Sequence, residues 1–151
     1  MILVTGGAGY IGSHTCVELL NSGYDIAVLD NLCNSSEDAL KAVEEITGKK
    51  FPFYHGDMRD EAILEKIFTE NNIKAVIHFA GLKAVGESVL IPEEYYDNNI
   101  GGTICLYHQM KKHGVSRIVF SSSATVYGLT DSYSLKEDFP TSATSPYGRT
   151  K

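Results

Sequence analysis

Short apolar runs alternate along the chain with stretches of helical periodicity. "MILVT", "DIAVLD", "KAVIHFAG" and "SRIVFSSS" are nearly continuous apolar runs of strand length. A strand with one wet face alternates, whereas a continuous run is buried on both faces. Between these runs lie four helical stretches. One extends from about Tyr10 to Asn21. A second is capped by Ser36 and runs through Thr47, with Leu40, Val43 and Ile46 on one face. Ile63, Leu64, Ile67 and Phe68 mark a third, and Pro92 opens a long one to about Lys112. "FPFYHGD" is a weaker strand because of Pro52. A polar loop leads to Ser145. This order predicts an α/β fold, a Rossmann-like doubly wound parallel sheet with helices on both faces. No internal repeat, low-complexity tract or interior linker divides the 151 residues, a length that suits one domain or a piece of something larger.

Composition narrows the classes. Hydrophobic content of 43% and charged content of 21% are those of a soluble globular protein. A formal charge of −6 argues against nucleic-acid backbones and anionic membranes as partners. It leaves room for a phosphate held locally by backbone N–H groups. Cys16, Cys33 and Cys105 are odd in number and lack C-x-x-C spacing. The expectation is therefore reduced thiols in a cytoplasmic protein, with no disulfide framework and no metal site. The first residues lack the basic flank of a secretory signal, and no apolar run reaches the ~18–20 residues of a membrane span.

"VTGGAGYIGSH" places Gly6, Gly9 and Gly12 three apart between a strand and a helix. Gly6 permits a tight turn, Gly9 lets the backbone approach a pyrophosphate, and Gly12 lets the helix pack close to the sheet. The phosphates then meet the free N–H groups of the helix N-terminus. G-x-x-G-x-x-G departs from the G-x-G-x-x-G form, and glycine triplets alone are common in tight turns. Asp30 strengthens the reading. It ends the next strand, where a carboxylate can accept from a ribose 2′-OH and repel a 2′-phosphate, which favours NAD over NADP. The competing reading of Asp30 is a cap on the following turn. Asp57 closes the third strand and could accept from an adenine amino group, with Met58 against the ring. Alternatively Asp57 only begins a turn, with Asp60 capping the helix behind it.

"SPYGRTK" sets Tyr147 and Lys151 four apart, on one face of a helix that Ser145 would cap and Pro146 would open. An isolated tyrosine has a pKa of ~10 and is a poor base at neutral pH. A neighbouring Lys151 and a cationic nicotinamide both favour the phenolate. Tyr147 could then take a proton from a substrate hydroxyl. Ser123 is read as ending the strand "RIVFSSS" at the carboxyl edge of the sheet, where ligands of such folds bind. It would hydrogen-bond the same oxygen. Ser121 and Ser122 are read as structural or cofactor-lining.

Six stretches in order carry a resemblance: "TGGAGYIGSH", "LDNLCNSS", "HFAGLKAVGES", "YYDNNIGGT", "SSSATVYG" and "SPYGRTK". Together they span Met1 to Lys151, and the chain resembles the extended short-chain dehydrogenase/reductase family over that whole length. More narrowly it is similar to the NAD-binding part of its members that epimerise UDP-hexoses at C4. The resemblance implies that Tyr10 and Ile11 lie on the pyrophosphate, and that Asp30, Asn31, Asn34 and Ser35 surround the adenosine ribose. It places Asp57 and Met58 at the adenine. Phe79, Ala80 and Lys83 would line the cofactor near the nicotinamide ribose, with Asn98 close by on the long helix. Ser123 and Tyr147 would face the sugar, with Lys83 nearby. Without the resemblance, "AGLKAVGES" reads as a glycine-rich loop with a solvated Lys83.

Dehydratases and decarboxylases of this group carry acids just after the active-site serine or threonine, where this chain has Ala124 and Thr125. The implied activity is therefore NAD-dependent interconversion of UDP-glucose and UDP-galactose through a 4-keto sugar, with NAD regenerated in place. The family also has a C-terminal half that grips UDP, so residues 1–151 are expected to be the NAD-binding domain of a longer enzyme, a homodimer pairing through helices such as Pro92–Lys112. Two other readings stay open. One is another short-chain dehydrogenase acting on a nucleotide sugar with net cofactor turnover. The other is a dinucleotide-sensing module without catalysis.

Overall fold

The structure, a computed structural model, describes residues 1–130 and 134–151. The middle of the polar loop expected before Ser145 lies outside the described residues. The chain forms two units. The first comprises Met1–Ala80 and Gly102–Phe120, the second Gly81–Gly101 and Ser121–Lys151.

The first unit contains β1 (Ile2–Thr5), α1 (Tyr10–Asn21), β2 (Ile26–Asp30), α2 (Glu37–Thr47), β3 (Phe53–His55), α3 (Glu61–Glu70) and β4 (Ala75–His78). The α6 helix (Gly102–Lys112) and β5 (Ile118–Phe120) complete it. The strands form one parallel sheet in the order β3-β2-β1-β4-β5, which runs outward both ways from β1. Successive side chains divide between its faces. Leu3, Ala27 and Leu29 join Leu64, Ile67, Phe68, Leu106 and Met110 on one side. Val4, Ile26 and Val28 join Cys16, Leu20, Leu40 and Val43 on the other. That alternation of fully buried residues explains the continuous apolar runs, and each buried Leu, Ile, Val, Phe or Met contributes ~1.5–3 kcal/mol.

Most predicted elements are present, with Pro52 displaced to just before β3, where its carbonyl accepts from Val28 N–H at 2.9 Å. Ser36 caps α2 through Asp38 N–H, as expected. Ile46 is a correction. Leu40 and Val43 are buried, but Ile46 is 68% exposed. At 100° per residue Ile46 lies a third of a turn off the Leu40 direction, and the i+7 residue Thr47 falls back on it.

The second unit holds α4 (Val85–Leu90), α5 (Pro92–Tyr95), a π turn (Tyr96–Gly101), a 3₁₀ turn (Ala124–Tyr127) and α7 (Pro146–Arg149). The long helix expected from Pro92 is therefore interrupted, with its π turn at Asn98 and Asn99. Both asparagines are buried, and Asn98 Nδ2 donates to Asn99 Oδ1 at 2.9 Å. π turns inside helices are rare and concentrate at functional sites. The glycine-rich stretch after Lys83, expected as loop, forms α4. Ser145 caps α7 with Pro146 at its first position, as the sequence predicts.

Candidate active site

The glycine turn of the first unit is set by close approach. Gly6 has φ +72°, and a Cβ there would lie 2.6 Å from the Ala80 nitrogen. A Cβ on Gly12 would meet the Gly6 carbonyl oxygen at 2.2 Å, so α1 can start only with glycine at that position. Gly9, at the N-cap of α1, offers no capping side chain. It thereby leaves first-turn N–H groups for an outside acceptor. Tyr10 and Ile11 stand exposed at this end. A bare, glycine-lined helix N-terminus of 12 residues fits a pyrophosphate.

Asp30 ties this turn to the loop after β2. Its Oδ2 accepts from Ala8 N–H at 2.9 Å. Its Oδ1 accepts from Leu32 N–H and from Ser35 Oγ, both at 2.9 Å. The carboxylate thus shapes the turn, as the second sequence reading expects, and it stands beside the glycines. Leu32 has φ +59°, alone among the described non-glycine residues in being positive. Such a conformation costs ~1–3 kcal/mol and recurs at ligand clamps. Asn31 Nδ2 donates to Asp57 Oδ2 at 3.1 Å, which brings the ends of β2 and β3 together. Asn34 is exposed on the same loop.

Asp57 follows its turn-forming reading. Its Oδ1 accepts from Arg59 N–H and Nε at 2.9 Å, and its Oδ2 from Arg59 Nη2 at 2.8 Å. The Arg59 guanidinium bonds are the main cause that lowers its carboxyl to about 2, against the opposing effect of burial. Asp60 caps α3 through Ala62 and Ile63 N–H. Met58 is buried, its side chain packed in the core, where a Cβ on Gly102 would meet its Cε at 2.6 Å. Phe79 and Ala80 donate their N–H groups to the Thr5 carbonyl at 3.0 and 3.1 Å, beside Gly6.

The second unit gathers the other expected residues. Tyr147 is buried on α7, and Lys151 lies just past the Thr150 cap. Lys151 Nζ donates to the Ser121 carbonyl at 3.1 Å, and burial lowers its pKa from the usual 10.5. Ser123 corrects its sequence placement. The strand ends at Phe120, and Ser123 caps the 3₁₀ turn instead. Its Oγ accepts from Thr125 N–H at 3.3 Å and Thr125 Oγ1 at 2.9 Å, which leaves its own O–H as a donor. A Cβ on Gly148 would lie 2.9 Å from the Thr125 carbonyl oxygen, so the turn that Ser123 caps lies against the helix of Tyr147. Lys83 is exposed.

Asn99 is the residue that sequence reasoning missed. Its Oδ1 accepts from Leu82 N–H at 2.8 Å. Its Nδ2 donates to the Leu82 carbonyl at 3.0 Å and to Thr150 Oγ1 at 2.9 Å. The signal available was the doubled "NN" in an otherwise amphipathic stretch, since asparagine is a poor interior helix residue.

The protein-family model described as GDP-mannose 4,6 dehydratase matches residues 3–151. A UDP-glucose 4-epimerase of Bacillus subtilis is 65% identical over 150 residues, 99% of this chain and 44% of that protein. One of Haemophilus influenzae is 62% identical over 151 residues, again 99% of this chain and 45% of the relative. The crystal structure of UDP-glucose 4-epimerase from Bifidobacterium longum, in complex with NAD+ and UDP, matches with a TM-score of 0.97 at 59% identity, over 99% of this chain and 45% of that one. The chain spans less than half the length of these relatives. With the glycine turn, the Asp30 carboxylate and the serine, tyrosine and lysine all lying within the matched residues, the chain belongs to the GDP-mannose 4,6 dehydratase family, and within it stands beside UDP-glucose 4-epimerases.

Proposed function

We propose that this chain is the cofactor half of an NAD-dependent enzyme that inverts C4 of a UDP-hexose, interconverting UDP-glucose and UDP-galactose. The holoenzyme is this chain together with the UDP-gripping half that the family resemblance implies. The observation that carries the reading is the anchorage of Tyr147, Lys151 and Ser123 by neighbouring backbone and side chains of one unit. The relatives named UDP-glucose 4-epimerase, one of them in complex with NAD+ and UDP, support it.

NAD, when bound, supplies the electron-pair acceptor and donor that inversion at a carbinol carbon needs. The glycine turn and Tyr10 would hold its pyrophosphate, and Asp30 would take the adenosine ribose. Tyr147 accepts the proton of the C4 hydroxyl at its phenol oxygen and later returns it. The free O–H of Ser123 donates to the same sugar oxygen. The Lys151 ammonium lies partly buried, where its charge is less screened. Ala124 and Thr125 supply no acid, and the Thr125 hydroxyl is already bonded to Ser123. That favours return of the electrons to C4 over loss of water, although the family model carries a dehydratase's description.

Two further assignments belong to this reading. Ile104 and Tyr107 are exposed one turn apart on α6, which supports pairing of two copies through this helix. The odd cysteine count supports a cytoplasmic protein. No helix of the described residues is long and apolar enough to cross a membrane.

Tyr147→Phe tests the assignment. In the holoenzyme it should lower kcat by roughly 10²–10⁴-fold, the usual contribution of a proton-transfer group, and leave NAD affinity in place. Near-normal turnover would remove Tyr147 from the role.

A further inference from the structure

Tyr95 is the last residue of α5 and has no exposed surface. Its ring meets that of Tyr147 edge-on, with centroids 6.5 Å apart and planes at 81°. Its hydroxyl accepts from Ala84 N–H at 3.0 Å. The same hydroxyl lies 2.9 Å from the Ala84 carbonyl and 2.6 Å from Glu87 Oε2, two acceptors for its single proton. The side chain therefore bridges two segments that carry expected site residues. One is α7, with Tyr147. The other is the backbone directly after Lys83. On the near side of Lys83, Asn99 holds both the N–H and the carbonyl of Leu82. An exposed, flexible lysine thus stands on a backbone fixed at both neighbours.

We propose that Tyr95 is a positioning residue of the reaction: its ring fixes the orientation of Tyr147 and its hydroxyl fixes the backbone that carries Lys83, so that one buried side chain sets both without touching substrate. The proposal rests on the reading of Tyr147 as proton acceptor. A ring that only filled space would leave phenylalanine as good a choice, whereas here the hydroxyl has three polar atoms around it. Burial, and secondarily the bond to Glu87, push the Tyr95 phenol up to about 12. Tyr95 therefore keeps its proton, and stays a donor, at neutral pH. Edge-to-face packing restricts the ring of Tyr147, and a displacement of about 1 Å at a reacting group can cost ~10²-fold in rate.

Two variants in the holoenzyme separate the ring from the hydroxyl. Tyr95→Phe keeps the edge contact and frees Ala84. It should raise KM for UDP-galactose about three- to tenfold, as if Lys83 lost one hydrogen bond to the substrate, with kcat within about twofold. Tyr95→Leu removes both contacts and should also lower kcat about ten- to hundredfold. Activity is expressed per folded molecule, from the melting transition. A folded Leu variant with normal kcat, or a Phe variant that loses as much kcat as the Leu variant, overturns the proposal. If the Leu variant does not fold, an unchanged KM in the Phe variant overturns it alone. Tyr147→Phe is measured alongside. If it is inactive while Tyr95→Leu is normal, only this proposal falls; if it is active, the proposal falls with the reading beneath it.

Discussion

Asn99 donates through Nδ2 to the hydroxyl of Thr150 at 2.9 Å, across 51 residues of chain. Thr150 Oγ1 in turn donates to the Tyr147 carbonyl at 2.8 Å. The π turn thereby holds the short helix that carries Tyr147 and leads to Lys151. Four helical residues cannot hold themselves, since isolated helices shorter than ~12–15 residues are marginal in water. Their geometry comes from such ties.

Asn99→Ala should therefore act at a distance from the phenol. It leaves the Leu82 N–H, the Leu82 carbonyl and the Thr150 hydroxyl without this partner. Each such group, where buried, costs ~1–3 kcal/mol. We expect a lower denaturant midpoint, and amide exchange that quickens at Leu82 and through Gly148–Lys151 before it does in β1. Uniform protection across the chain would show that Asn99 is not the tie.

Asp30→Asn should weaken NAD binding and relax discrimination against NADP. The charge is lost, while one oxygen remains to accept from Leu32 N–H or Ala8 N–H. A hydrogen bond to a charged group is worth ~1.5–3 kcal/mol, so the loss for NAD should be roughly tenfold or more. Calorimetry with both cofactors measures it. Unchanged selectivity would confine Asp30 to the turn it shapes.

Asp57 gives a pH signature. Its folded pKa of about 2 lies below the ordinary 3.8, chiefly through the Arg59 side chain. A carboxyl depressed on folding stabilises above its unfolded pKa and loses that contribution as pH falls through the folded value. Asp57→Asn should thus be less stable than the parent at pH 7, and the difference should shrink between pH 3.8 and about 2. Denaturant unfolding across that range checks it. A difference constant with pH would mean the Arg59 bonds contribute nothing through ionisation.

The sheet was legible because fully buried parallel strands leave unbroken apolar runs, and Leu3, Val4, Ile26 and Val28 do so plainly. The cap of Ser145 and the glycine turn were legible because each needs a residue type that few others replace. The π turn was not. Helical periodicity at Tyr95, Asn98 and Asn99 looks the same whether or not one turn takes an extra residue, and only the bonds of Asn99 to Leu82 and Thr150 reveal why it does. Ser123 was placed at a strand end because "IVFSSS" carries no signal for where pairing stops. The burial of Met58 was not legible, because its local sequence does not announce the space that Gly102 opens for it.

The central claim is C4 inversion with electrons that leave and return within one bound substrate. Its most direct measurement uses UDP-galactose deuterated at C4, incubated with the holoenzyme and an excess of unlabelled free NAD. The account predicts UDP-glucose with the deuterium still on C4 and none in the free cofactor. Deuterium in the free cofactor pool, or a product that has lost water, would contradict it.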